Sequence, residues 1–277
     1  MRNKSQKTGS ELTPKQSSNL PASASMFAGD AGAGMEGAGV ESFAIPFLNV
    51  LQKGSPQVDE ASGVAIDGAK AGMLYENISG QLIDGKTGLT IVPCAYRRVF
   101  LHWSESNGFQ GEMLPEEVAK LRSAGVIVEH KNRLYMPEKK GAEIDPEETD
   151  RIADARNHYV LIIDNKTGAW RQALISLGST QIKKSRALMT ALASVKMDVD
   201  GKLITPATFA NLVKVTTVPE SNDKGTWFGW KFELDGFVQS QDMYAAAKHF
   251  HKSVIEGQVK ARYEEVDASA EEKSKGF

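Results

Sequence analysis

Tyr159-Val160-Leu161-Ile162-Ile163-Asp164-Asn165-Lys166-Thr167-Gly168-Ala169-Trp170-Arg171-Gln172-Ala173-Leu174-Ile175-Ser176-Leu177 carries a clear secondary-structure signal. A run of aromatic, β-branched and aliphatic residues meets a polar pentapeptide ending in Gly, and a second apolar-rich run follows. Asp and Asn favour turns through side-chain bonds to the backbone, and Gly accepts positive φ, so the segment reads as a β-hairpin. The same grammar occurs upstream, where residues 74–83 lead into Asp84-Gly85-Lys86-Thr87-Gly88 and then residues 89–103. Residues 126–129 and 133–136 flank His130-Lys131-Asn132 as a third hairpin. Residues 212–218 and 227–234, joined by 219–226, make a fourth. Residues 45–51 form a further apolar run before Gly54-Ser55-Pro56. Repeated hairpins with few long helices predict a mainly β protein, an antiparallel barrel or sandwich.

Two helices stand out. Ser179 is a candidate N-cap for residues 181–195, where Ile182, Ser185, Leu188, Met189 and Leu192 share a face and Lys183, Lys184 and Thr190 the other, with Arg186 at the border. Asp242 is a candidate cap for a second helix with Tyr244, Ala247, Phe250 and Val254 spaced for burial. A shorter helix covers 115–123, and the acidic stretch 138–150 reads as a solvated loop.

The chain has 277 residues, net charge −2, 41% hydrophobic and 25% charged residues, which fits a folded globular protein and excludes collagen, coiled coil and wholesale disorder. Its single Cys, Cys94, excludes a disulfide framework within the chain. No apolar run spans a bilayer and no signal peptide is evident, so the expectation is a soluble protein of a reducing compartment, without membrane contact. Residues 1–40, with Ala28-Gly29-Asp30-Ala31-Gly32-Ala33-Gly34, read as a disordered arm. Residues 41–262 read as the folded body, and 263–277 as an acidic flexible tail with net charge −3. Without the tail, the arm and the acidic loop, the body carries +4. A mildly basic body suits phosphate binding, and an acidic tail can compete for the same groove.

Gly80-Gln81-Leu82-Ile83-Asp84-Gly85-Lys86-Thr87 fits the P-loop pattern, yet a P-loop must open a helix after a buried strand. Gly88 and a strand-like run follow instead, so the nucleotide-binding reading is set aside for turn chemistry. The five histidines are scattered, and His249 and His251 point in different directions on a helix, so neither a metal nor another cofactor is expected. No nucleophile elbow is present, and the reading is non-enzymatic.

Tyr96-Arg97-Arg98-Val99-Phe100-Leu101-His102-Trp103 is more informative. On a strand, Tyr96, Arg98, Phe100 and His102 share one face, and Arg97, Val99, Leu101 and Trp103 the other. Rings that stack on bases beside cations that hold phosphates are what an unpaired nucleic-acid strand requires. The competing reading buries Tyr96 and Phe100 and lets the arginines reach solvent along their stems. In Thr226-Trp227-Phe228-Gly229-Trp230-Lys231-Phe232, the Phe228, Trp230 and Phe232 side reads as core. Trp227 and Lys231 lie opposite it, with Gly229 as a gap for a base. The candidate contacts are therefore Tyr96, Arg98, Phe100 and Trp227 for rings and clamping, and Lys183, Lys184, Arg186, Lys214 and Lys231 for phosphates.

Several stretches resemble a family of bacteriophage proteins encoded with replication and recombination genes: residues 45–52, Ser55-Pro56-Gln57-Val58, 72–80, Ile91-Val92-Pro93 with Tyr96-Arg97-Arg98, and 179–186. That resemblance implies a single-stranded DNA-binding protein of the host cytoplasm, built on an elaborated OB-like barrel, that coats displaced strands without catalysis. The end of the chain is similar to the acidic tails, closed by Phe, through which such proteins are captured by replication or recombination enzymes. Phe277 would be the partner contact, although Lys273, Lys275 and Gly276 depart from the pattern. The rival readings are a strand-annealing accessory, a virion or host-takeover protein-interaction module, and an NTPase using Gly85-Lys86-Thr87.

Overall fold

A computed structural model describes residues 29–30, 33–38, 43–104, 106–223, 225–259 and 261–263. The expected arm and acidic tail, Phe277 included, lie almost entirely outside them. The chain divides into two units, Met1–Gly39 and Val40–Phe277. In the first, the described residues form short turns, with the Glu36 carboxylate accepting from the Gly34 N–H.

The second unit is mainly β, and its central element is a strongly curled, eight-stranded antiparallel half-barrel. Two long strands carry it, β4 (Leu89–Ser104) and β8 (Asp150–Ile163), paired in register from Thr90–Ile163 to Trp103–Arg151. Beside β4 lie β12 (Asn211–Asn222) and, at the sheet edge, β13 (Gly225–Phe237). Beside β8 lie β7 (Arg133–Met136) and β6 (Val128–His130), while β9 (Trp170–Gly178) pairs with the other half of β8 and β5 (Gly108–Met113) with the far end of β4. A bulge between Pro93 and Ala95 bends β4. At the bulge the buried Cys94 carbonyl accepts a hydrogen bond from His251 Nδ1 at 2.9 Å.

The sheet buries both faces. On one, Val92, Val99, Leu101, Tyr159 and Leu161 pack under Met243, Ala247, Phe250 and Val254 of α3 (Gln241–Ile255). On the other, Ile91, Val160, Ile162, Ile175 and Val213 pack under Leu188 and Leu192 of α2 (Ile182–Ser194). A third cluster joins Phe100 and Ile152 to Val118 of α1 (Pro115–Ser123). A small sheet of β1 (Leu48–Val50), β2 (Leu74–Glu76) and β3 (Leu82–Ile83) is tied to β9 through the Arg171–Glu76 ion pair at 2.7 Å.

The β8–β9, β6–β7 and β12–β13 hairpins fall where the sequence places them, the last with strands extending further into the turn than expected. Asp164 Oδ1 accepts from the Lys166 N–H at 2.8 Å and Gly168 sits at φ +73°. Asp84 builds the same turn, with Gly88 at φ +62°, yet it makes no hairpin, because β3 belongs to the small sheet and β4 to the central one. The Gly85 carbonyl accepts from the Thr217 N–H, and a Cβ at Gly85 or Gly88 would overlap backbone oxygen, so this turn is wedged against β12. Ser179 does not cap α2. It takes φ +47° in a 3-10 turn (Ser179–Gln181), and its side chain makes no cap bond. The α3 cap is Ser240, accepting from the Met243 N–H at 3.2 Å, with Asp242 in the first turn, and Tyr244 faces solvent. The hairpin of β10 (Met197–Val199) and β11 (Lys202–Ile204), with exposed Val199, Leu203 and Ile204, was not anticipated.

Candidate nucleic-acid interface

The β4 row has the predicted alternation, and the structure shows what each member touches. Tyr96 is half-buried against the ring of His158, 5.2 Å between centroids, and its hydroxyl accepts from Arg156 Nη1 at 3.0 Å. Arg98 is exposed, pairs with Asp154 at 2.7 Å and lies 4.9 Å over the Phe100 ring. Asp154 also accepts from Arg156 at 3.0 Å, so one carboxylate serves two guanidiniums. Phe100 is only 6% exposed, sealed by α1 and Ile152. It is a core residue, which corrects its place among the stacking rings. His102 is held by Asp150 at 2.7 Å.

Behind Tyr96, His158 is buried and shares a 2.8 Å hydrogen bond with Ser185 of α2. Burial, reinforced by the nearby Arg156 charge, pulls the imidazole down to about 4, so the ring is neutral at pH 7. This contact sets the rotation of α2 and thereby presents Lys183 and Arg186 to solvent. Among the described residues neither cation has an ion-pair partner.

The N-terminal turn of α2 meets the edge of β13. Gln181 Oε1 accepts from the Trp230 N–H at 3.2 Å, and Lys184 Nζ lies 2.6 Å from Glu220. Glu220, on β12, also accepts from the Trp227 indole N–H at 3.0 Å and from Gln181 at 3.3 Å. Burial raises the Glu220 pKa, but the bonds from Lys184, Gln181 and Trp227 together outweigh it, so the carboxyl stays below its ordinary range and is ionised. The space over Gly229 is not a gap for a base, because a Cβ there would overlap the Glu220 carboxylate. Lys231 pairs with Glu233 at 2.9 Å, and Lys214 stands opposite Glu233 across the β12–β13 ladder.

With Phe100 set aside as core, the candidate contacts on the strands separate into two groups. By strand alternation Tyr96 and Arg98 lie on the face covered by α2, whereas Lys214, Trp227 and Lys231 lie on the α3 face of β12–β13. Lys184 links the groups around the β13 edge. Sequence reasoning missed Glu220 and Gln181, whose only local signal is polarity, and also missed a shallow groove along α3 lined by Phe209, Lys248, His249, His251 and Lys252. Residues 80–87 contain β3 and a turn, and the element that follows is β4, so no helix starts at Lys86. Cys94 is fully buried, and burial pushes its thiol up to about 12. No cluster of metal-ligating side chains occurs among the described residues, and no described helix is long and apolar enough to cross a membrane.

Comparison with known proteins gives one family. The model of the Pam3 phage gp34-like proteins matches residues 14–260. No curated protein and no solved structure matches the chain.

Proposed function

The chain belongs to the Pam3 phage gp34-like protein family, and on that premise we propose that it is a non-catalytic, sequence-tolerant single-stranded DNA-binding protein acting in phage replication or recombination. The observation that carries this reading is the convergence of α2 on the β13 edge, where half-buried Trp227 stands beside Lys184. Lys183 and Arg186 are on the same helix, and Lys214 and Lys231 are on the same sheet face as the indole. Its indole N–H is fixed by Glu220, which leaves the ring face as its recognition surface, and stacking on a base is tolerant of sequence. Tyr96 and Arg98 lie on the opposite face as a second candidate contact. Partner enzymes of the replication or recombination machinery would be met through the acidic C-terminal segment. The expected site of action is the host cytoplasm.

Fluorescence anisotropy of labelled oligo-dT tests the reading. Binding that weakens with salt and exceeds binding to duplex supports it, and no binding at low salt rejects it. One observation favours a protein-interaction module instead: the β10–β11 hairpin holds Leu203 at 74% exposure, next to Ile204. Pull-down after nuclease treatment separates the two, since DNA-bridged partners are lost.

A further inference from the structure

β13 is an edge strand of the central sheet, and its outer edge differs along its length. Toward the hairpin it is capped by side-chain amides. Gln52 Oε1 accepts from the Phe228 N–H at 2.8 Å, and Gln52 Nε2 donates to the Phe228 carbonyl at 2.9 Å. Gln181 accepts from the Trp230 N–H. A carboxamide offers the same donor and acceptor as a peptide group, so two glutamines from distant parts of the chain stand in for a neighbouring strand. These bonds also fix the phase. Phe228 and Trp230 direct their main-chain groups away from β12, and by alternation Phe232 and Leu234 do the same. Among the described residues nothing caps Phe232 or Leu234. The uncapped part is apolar on one face, with Leu234 43% exposed and Phe232 stacked parallel on Trp230 at 5.8 Å. It ends where the ladder register shifts opposite Asn211 and Val213. An open apolar edge of this kind is a template for another strand.

We propose that this segment pairs with the same segment of a second copy, antiparallel about a two-fold axis through Phe232, and so joins two central sheets into one. The charge pattern selects that axis. It sets Lys231 opposite Glu233 of the partner subunit, and Glu233 opposite the partner's Lys231, in a square of alternating charge on one face. On the other face, Leu234 meets Trp230 of the partner subunit and the two Phe232 rings meet at the axis. Sheet faces match only if a residue lies on the axis. Moving the axis to Leu234 sets Glu233 against an acid, Asp235 of the partner subunit, and moving it to Trp230 runs into Gln52 and Gln181. About Phe232, each Phe232 exchanges both main-chain bonds, and the ladder stops there because the Trp230 N–H is held by Gln181. The proposal does not rest on the DNA-binding reading, but it shares Lys231 with it, so the two compete for that side chain.

Sedimentation velocity of the full chain, without DNA, tests it. The wild type should dimerise. Lys231→Glu, which gathers four acids at the axis, and Glu233→Lys, which gathers four cations, should each weaken the dimer about tenfold or more, since like charges directly opposite repel. The double reversal should restore it, because the alternation returns. Phe232→Cys gives a second readout, as paired Cα atoms about 5.5 Å apart across an antiparallel ladder lie within disulfide range. Mild oxidation should link two copies, while Leu203→Cys on the exposed hairpin should not, and buried Cys94 does not compete. A monomeric wild type, a dimer indifferent to the single reversals, or equal crosslinking through Leu203→Cys would overturn the proposal.

Discussion

His158 joins β8, Tyr96 and the Ser185 hydroxyl of α2, so its protonation state is coupled to the seating of that helix. The folded protein holds it neutral down to about 4, whereas an unfolded chain protonates it near 6.5. Between these values the unfolded state binds the extra proton, so the contribution is complete above pH 6.5 and is lost as pH falls toward 4. Linkage puts the loss at about 3 kcal/mol. Urea denaturation between pH 4 and 7 should show stability rising with pH, and His158→Gln should flatten that window. At the same scale, Trp227→Ala should weaken oligo-dT binding by about 1 to 3 kcal/mol, the usual worth of one base–ring stack. Phe100→Ala should instead cost about 3 to 5 kcal/mol of stability as a large-to-small change in the core.

At the scale of elements, α2 and β13 form one unit fastened by Glu220. Glu220→Gln keeps the hydrogen-bonding shape and removes the charge that neutralises Lys184. Affinity for oligo-dT should therefore rise, and the salt dependence should steepen by about 0.7 in log–log slope, one added phosphate contact. Replacing Lys183 and Arg186 by Gln should lower that slope by about 1.4. The two Asp-x-Lys-Thr-Gly turns show what an element's sequence can and cannot convey. In both, the Asp carboxylate binds the N–H two residues on and Gly closes the turn with positive φ. Those bonds are local, so both turns were legible. Which sheet receives the next strand depends on Thr217 and Val215, some 130 residues away, and no local pattern encodes it. The β4 alternation was legible for the same reason, whereas the burial of Phe100 is decided by Val118 and Ile127 from other elements. Gly88→Ala, forced against the Val215 carbonyl at φ +62°, should unfold the chain or lower its thermal midpoint sharply, while Gly168→Ala, with open space around it, should cost about 1 kcal/mol.

Across the central sheet, the half-barrel buries one face under α2 and the other under α3, and leaves the outer edge of β13 open at Phe232 and Leu234 among the described residues. The sequence conveyed the class of fold, three of the four expected hairpins and the helix identities. The division of rings and cations between two faces was not visible, since it follows from pairing between strands far apart in the chain. Membership in a phage family is established by the match over residues 14–260, and the proposed DNA-binding role rests on Trp227 and its cations. The most direct test is anisotropy of labelled oligo-dT at about 50 and about 200 mM NaCl, the range over which phosphate-driven affinity falls, comparing wild type with Trp227→Ala. The account predicts tight low-salt binding that falls steeply with salt, weaker binding to duplex, and a Trp227→Ala loss that leaves the salt slope unchanged. Absence of binding at 50 mM, about the lower end of the salt range over which such affinities fall, or equal affinity for duplex, would contradict it.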